Sequence, residues 1–166
     1  MGHGQVEQAV ADAGPLIHLH EVEQIDLLNL FKILCIPGAV WAESTDKINS
    51  PPLNLNNIRH HTLAASDVDH FVQTHSLSNL HVGERESLCL CNQLDIPLLL
   101  TDDLAVREAA RRLCVRPVGS LGIVVRGYKE GLLTYSEAEK SLIALYEESS
   151  LFVTQTIVEI AIEQLA

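Results

Sequence analysis

The chain has 166 residues, 47% of them hydrophobic, with 22 acidic and 11 basic side chains and a formal net charge of −11. That length suffices for one domain with a core that needs no staples. The charge argues against broad, electrostatically driven binding along a nucleic-acid backbone, while it suits an enzyme that gathers cations on carboxylates. No apolar run is long enough to span a membrane, and no basic segment leads into an apolar one at the N-terminus, so a cytoplasmic protein with no membrane partner is expected. The four cysteines, Cys35, Cys89, Cys91 and Cys114, sit in or beside apolar runs and are expected to be buried free thiols. Cys89 and Cys91, two apart, would not share a helix face and make a poor metal pair. The eight histidines are scattered, with no HExxH spacing, and read as surface or partly buried side chains.

In chain order, Val6, Ala9, Val10 and Ala11 form a short apolar piece ending at Asp12. Ala13-Gly14-Pro15 then opens a helix, with proline in the first turn where its missing N–H costs nothing. Ile25 to Phe31 reads as a short helix and Ile33 to Ile36 as a short buried strand. Pro37 is expected just inside a helix carrying Val40, Trp41 and Glu43. Lys47 to Asn57, with its asparagines and Pro51-Pro52, reads as a loop. Ile58 to Leu63 reads as a strand, and Ser66 to His75 as a helix capped by Ser66 or Asp67 with Val68, Phe71 and Val72 inward. Val82-Gly83-Glu84-Arg85-Glu86 opens a further helix whose apolar face is Leu88, Cys91 and Leu94, with Leu90 alongside.

Val115 to Val118 reads as a last short strand. Gly119-Ser120-Leu121-Gly122 serves as turn and N-cap for an apolar helix over Ile123 to Gly131. Ser136-Glu137-Ala138-Glu139 reads as a capping box opening a helix through Tyr146. A final helix opens at Thr156-Ile157-Val158-Glu159. Its apolar residues Ile157, Val158, Ile160, Ala161, Ile162 and Leu165 cover most of the circumference, so it is expected to be buried in its own fold or against a second copy. Strands alternating with helices imply a parallel sheet with helices on both faces.

The stretch around which these elements are organised is Pro97-Leu98-Leu99-Leu100-Thr101-Asp102-Asp103. An apolar run ends in a hydroxyl and two carboxylates. A helix follows, with Val106, Ala109, Ala110 and Leu113 on one face and Arg107, Glu108, Arg111 and Arg112 on another. This is the pattern of a buried parallel strand feeding a helix, and open α/β sheets hold ligands beyond the carboxyl ends of such strands. One aspartate is explained as an N-cap, but two adjacent ones are harder to explain that way. Asp12 repeats the design after the first strand. Glu43 follows the second strand, and Glu84 lies in a first helical turn, where an acid, like the neighbouring Glu86, also suits the helix dipole.

Three or four carboxylates converging on one point cannot all stay ionised without a cation. Mg²⁺ and Mn²⁺ prefer oxygen ligands, and such ions activate water for attack on a phosphodiester and stabilise the leaving oxygen. No Ser/His/Asp or Cys/His arrangement offers a covalent nucleophile. A phosphatase with a nucleophilic aspartate is disfavoured, because Asp12-Ala13-Gly14 has no second aspartate two residues on.

Taken in order, Val10-Ala11-Asp12-Ala13-Gly14-Pro15-Leu16-Ile17, Ile36-Pro37-Gly38-Ala39-Val40-Trp41-Ala42-Glu43, Gly83-Glu84-Arg85-Glu86 and Leu98-Leu99-Leu100-Thr101-Asp102-Asp103 resemble the PIN-domain nucleases. Gly119-Ser120-Leu121-Gly122-Ile123-Val124 and Gly131-Leu132-Leu133 are similar to the small prokaryotic branch related to toxins of toxin–antitoxin pairs. The resemblance implies an α/β fold, a three-layer α/β/α sandwich with a central parallel sheet. It would fill one domain over residues 1–166, with a core at about 6–133 and C-terminal helices at 136–166. It implies metal-dependent RNA cleavage, with Asp12, Glu43, Glu84 and Asp103 as catalytic acids holding Mg²⁺ or Mn²⁺. Asp102 is adjacent and able to serve as a further ligand, and Glu86 competes with Glu84 for the third place. Thr101 would orient a carboxylate or the attacking water. The implied partners are an RNA substrate, an antitoxin protein and a second copy in a homodimer or higher homo-oligomer. The alternative is a PIN-like module that binds RNA or a partner and cuts poorly; the acidic charge, the 4% aromatic content and the missing basic stripe keep it open.

Overall fold

The computed structural model of the protein describes residues 6–48 and 55–166. Its strands are β1 (Val6–Ala11), β2 (Phe31–Pro37), β3 (Ile58–His61), β4 (Leu98–Leu100) and β5 (Arg116–Val118). They form one sheet in the order β3-β2-β1-β4-β5, every neighbouring pair parallel. Parallel neighbours require crossovers. These come from α1 (Ala13–Glu21), a 3₁₀ segment (Ile25–Leu30), α2 (Gly38–Ile48), α3 (Ala65–His75), α4 (Val82–Leu94) and α5 (Leu104–Arg112). The chain continues through α6 (Ser120–Lys129), α7 (Tyr135–Glu147) and α8 (Gln155–Glu163).

The two-residue period of the strands divides the apolar side chains between two layers. Ala9 and Ala11, Leu34 and Ile36, and Leu98 and Leu100 face α1, α2, α6, α7 and α8. Val10, Cys35 and Leu99, the residues in between, face α3, α4 and α5. With both faces covered, β4 is apolar and buried at all three positions. The protein is thus the α/β/α sandwich expected, with a central all-parallel sheet.

Strand order reverses at β1: β2 and β3 lie to one side, β4 and β5 to the other. Such a reversal opens a crevice at the carboxyl ends of the two strands flanking it, here β1 and β4. The ladder runs up to the acids themselves, since Asp12 N donates to Leu100 O and Thr101 N to Val118 O, both at 2.9 Å.

Several local expectations shift. Pro37 is the last residue of β2, in register with His61, and α2 starts one residue later. Lys47 and Ile48 belong to α2, while residues 49–54, including Pro51-Pro52, lie outside the described residues. α3 starts after Ala64 without a side-chain cap, leaving Ser66 and Asp67 in its first turn. α4 buries Cys89 with Leu88, Leu90 and Cys91 because α3 packs beside it, and Leu94 in its last turn is exposed. α6 begins three residues before Ile123, at Ser120.

The capping box of α7 is Thr134 with Glu137, two residues earlier than the expected Ser136 with Glu139. Thr134 Oγ1 accepts from Glu137 N at 3.1 Å, and Glu137 Oε2 accepts from Thr134 N at 2.8 Å. Cys35, Cys89 and Cys91 are buried free thiols as expected, but Cys114 is exposed, its φ of 61° turning the chain from α5 into β5. α8 buries Val158 and Ala161, with Leu165 just beyond its end, yet leaves Ile157 and Ile160 each 49% exposed. Among the described residues, no helix is long and apolar enough to cross a membrane.

Candidate active site

Asp12 is the deepest of the acids, 5% exposed, and it caps α1. Its Oδ1 accepts from Ala13 N at 2.9 Å and its Oδ2 from Thr101 Oγ1 at 2.9 Å. Thr101 is fully buried, and its hydroxyl oxygen in turn accepts a long bond from Asp103 N at 3.3 Å. That backbone N–H takes up an acceptor position of the hydroxyl, whose own proton goes to the carboxylate. Burial lifts the Asp12 carboxyl from 3.8 to about 7. The bonds from Ala13 and Thr101 oppose the rise, and the charges of Glu84 and Glu43 add to it.

The two adjacent aspartates diverge. Asp102 Oδ1 accepts from Ser120 N and Oδ2 from Ser120 Oγ, both at 2.6 Å, while His18 Nδ1 lies 2.7 Å from Oδ2. Asp102 thereby fastens the start of α6 to α1. Gly119 permits this approach, because a Cβ there would stand 2.7 Å from Asp102 Oδ1 and 3.1 Å from Arg107 Nη1. Asp103 is the N-cap of α5, with Oδ1 accepting from Val106 N at 3.0 Å. Its side chain is exposed, and Oδ2 has no partner among the described residues.

Glu84 occupies the third position of α4, where one oxygen accepts from His81 N at 2.9 Å in a capping box. Partial burial raises its carboxyl above the usual range; the His81 bond and ring charge work against that, and Asp103 and Glu43 reinforce it. Glu43 projects from α2 at the same rim. α2 and α4 meet at Gly83, where a Cβ would make only ordinary contacts with Val40 Cγ2 at 3.4 Å and Glu43 Oε1 at 3.6 Å. Glu86 points elsewhere, its Oε1 accepting from Ala39 N at 3.0 Å and stabilising the N-terminus of α2.

Asp12, Glu43, Glu84, Asp102 and Asp103 therefore line one crevice of about 560 Å³, while Glu86 does not. His18, His81 and Phe152 line it too, and none of them stood out in the sequence. The only signal for His18 is its place four residues after Gly14, a spacing that puts both on the α1 face turned to Asp102. Among the described residues, no three His, Cys, Asp or Glu side chains are grouped tightly enough to hold a metal ion as they stand. The donor chemistry still fits a hard dication: the candidate ligands are all carboxylate oxygens, and the charges of neighbouring acids add to the rise that burial gives Asp12 and Glu84, a repulsion a cation would relieve.

No curated protein matches the chain. A family model described as a PIN domain matches residues 8–166. PIN domains are generally nucleases and typically use divalent metal ions. The fold, the crevice at the sheet's reversal point and this match agree, and the chain belongs to the PIN-domain family.

Proposed function

We propose that this protein is a cytoplasmic Mg²⁺- or Mn²⁺-dependent endoribonuclease, with Asp12, Glu43, Glu84 and Asp103 as its metal-holding acids. The observation that carries the reading is that those four side chains, from four different segments of the fold, line the crevice at the strand-order reversal. A bound ion would supply a water activated for attack on phosphorus and a counter-charge for the leaving oxygen. The protein's own groups do the positioning. Asp12 is held through both oxygens, by Ala13 N and the Thr101 hydroxyl, while the N-termini of α4 and α5 hold Glu84 and Asp103 through one oxygen each. Asp102 holds the floor together through Ser120 and His18, and we assign it chiefly a clamping role beside the four.

The resemblance of Gly119 to Val124 and Gly131 to Leu133 to the small prokaryotic branch supports a toxin paired with an antitoxin protein. Co-purification with the product of an adjacent gene tests that pairing, and light scattering tests for a homodimer or higher homo-oligomer.

The first test is Mn²⁺ titration by calorimetry of wild type and Asp103→Asn, with thermal unfolding as fold control and cleavage of single-stranded RNA as activity assay. Asparagine caps helices as well as aspartate, so the variant keeps α5. Metal binding and cleavage in wild type, both lost in a folded Asp103→Asn, is the expected result. Wild type that neither binds Mn²⁺ nor cuts RNA overturns the proposal and leaves a partner-binding module.

A further inference from the structure

The acid crevice runs into a second groove of about 610 Å³ bounded by α5, α6 and α8, and the two share Asp102, Leu151 and Phe152. Phe152 is 99% exposed, although it lies in a segment held firmly in place. Leu151 and Val153 on either side pack against the core, and Ser150 N and Oγ donate to a Glu21 carboxylate oxygen at 2.9 and 2.8 Å. The alternation is in, out, in, so the ring is presented to solvent at the junction of the two cavities.

Arg107 and Arg111 of α5 line the same groove, one helical turn apart. Like charges at that spacing repel. Among the described residues, neither guanidinium lies within ion-pair distance of a carboxylate; the only such pair is His18 with Asp102. Arg107 is held in place by donating through Nη1 to Thr101 O at 3.1 Å. In a chain of net charge −11, two arginines without an ion-pair partner against the single carboxylate of Asp102 leave this groove locally positive.

We propose that this groove carries the single-stranded RNA entering or leaving the cleavage crevice, with one base stacked on Phe152 and backbone phosphates met by Arg107 and Arg111. The assignment rests on the ribonuclease reading for what happens at the acids, but the groove's own chemistry argues for nucleic acid. Every base has a π-face that stacks on an exposed aromatic ring, and guanidinium groups match phosphate geometry. A protein partner would also cover the apolar wall, yet continuity with the acid crevice and the unpaired arginines favour a polyanion threaded through both cavities. This arrangement also shows how an acidic protein lacking a basic stripe holds RNA: attraction is confined to one groove.

The test is fluorescence anisotropy of a 5′-fluorescein single-stranded oligoribonucleotide, with chelator present so that nothing is cut. Phe152→Ala is expected to weaken binding about tenfold or more, and Phe152→Trp to restore it. Arg111→Ala is expected to weaken binding and lower the slope of log Kd against log salt by about one. Removing a side chain that is almost wholly exposed leaves the melting temperature unchanged. Wild type without measurable affinity, or Phe152→Ala binding like wild type, overturns the inference. So does a Phe152→Ala protein that keeps its RNA affinity and loses self-association by light scattering, which would mark a protein interface. Failure of Mn²⁺ binding or cleavage in wild type removes the ribonuclease reading and leaves a Phe152-dependent RNA groove standing, so the two failures are distinguishable.

Discussion

Asp12→Asn should make the metal-free protein more stable at pH 8, although it removes the deepest of the proposed catalytic carboxylates. The folded-state pKa of Asp12, about 7, lies above its ordinary 3.8. Between those values the native state keeps a proton that the unfolded chain has released. Stability therefore falls as pH rises across this window, and the full cost of the buried charge is present above about pH 7. The displacement from 3.8 to about 7 corresponds to about 4 kcal/mol, an upper figure because relaxation and water entry reduce it.

Asparagine carries no charge and still accepts from Ala13 N through Oδ1. Its amide faces the Thr101 hydroxyl in place of Oδ2, and re-aiming that hydroxyl costs about 1 kcal/mol. The net expectation at pH 8 is stabilisation of about 1–3 kcal/mol, or several degrees in Tm at about 2–4 °C per kcal/mol for a chain of this size. Thermal unfolding of both proteins in chelator at pH 5 and pH 8 measures it. The advantage of Asp12→Asn should be small at pH 5 and large at pH 8, and Mn²⁺ should raise the Tm of wild type only. A variant less stable than wild type at pH 8, or a difference that does not change with pH, would show that the two hydrogen bonds outweigh desolvation and refute the reasoning.

Thr101→Val keeps the shape but removes the donor to Asp12 Oδ2. The Asp12 carboxyl should then rise further, and Mn²⁺ affinity at pH 7 by calorimetry should fall about tenfold or more, as for other groups that orient metal ligands. Unchanged affinity would mean that Ala13 N alone holds the carboxylate. Glu84→Gln should weaken Mn²⁺ binding by a similar factor, whereas Glu86→Gln should leave it within about twofold and cost at most about 1 kcal/mol at the start of α2. Equal losses in the two glutamine variants would show that Glu86 turns into the crevice when metal is present.

The layers were legible because the strands obey a strict two-residue period. Ala9 and Ala11 against Val10, and Leu98 and Leu100 against Leu99, separate into the two cores with no exception among them. The crevice was legible because two adjacent carboxylates end a strand of buried leucines, and one helix N-cap explains only one of them. Contacts that join distant parts of the chain were not. His18 meets Asp102 across 84 residues, and no local spacing announces such a pair. Phe152 was hidden for a different reason: an aromatic ring between Leu151 and Val153 reads as core, and only the packing shows that the segment turns it outward. The final helix is buried in its own fold on one side only. Its apolar residues circle the axis, yet α6 and α7 cover one side only, leaving Ile157 and Ile160 half-exposed on the groove wall.

The remaining ambiguity, whether each acid is a helix cap or a ligand, rests on a false opposition. A carboxylate has two oxygens and about four lone-pair sites, and a cap uses one of them. Asp103 gives Oδ1 to Val106 N and Glu84 gives one oxygen to His81 N, which locks each rotamer and leaves the second oxygen for the crevice. Capping is then how these side chains are aimed, at no cost in ligating capacity. Asp102 inverts the pattern. It is the one aspartate of the set that caps neither neighbouring helix by local spacing, and the sequence left it as a further ligand beside Asp103. Its Oδ1 accepts one bond and its Oδ2 meets two partners, from Ser120 and His18, so it keeps fewer open lone-pair positions than Asp103 or Glu84. Sequence spacing reveals the local bond to a backbone N–H, but the number of oxygens left over depends on partners that only the folded chain brings near.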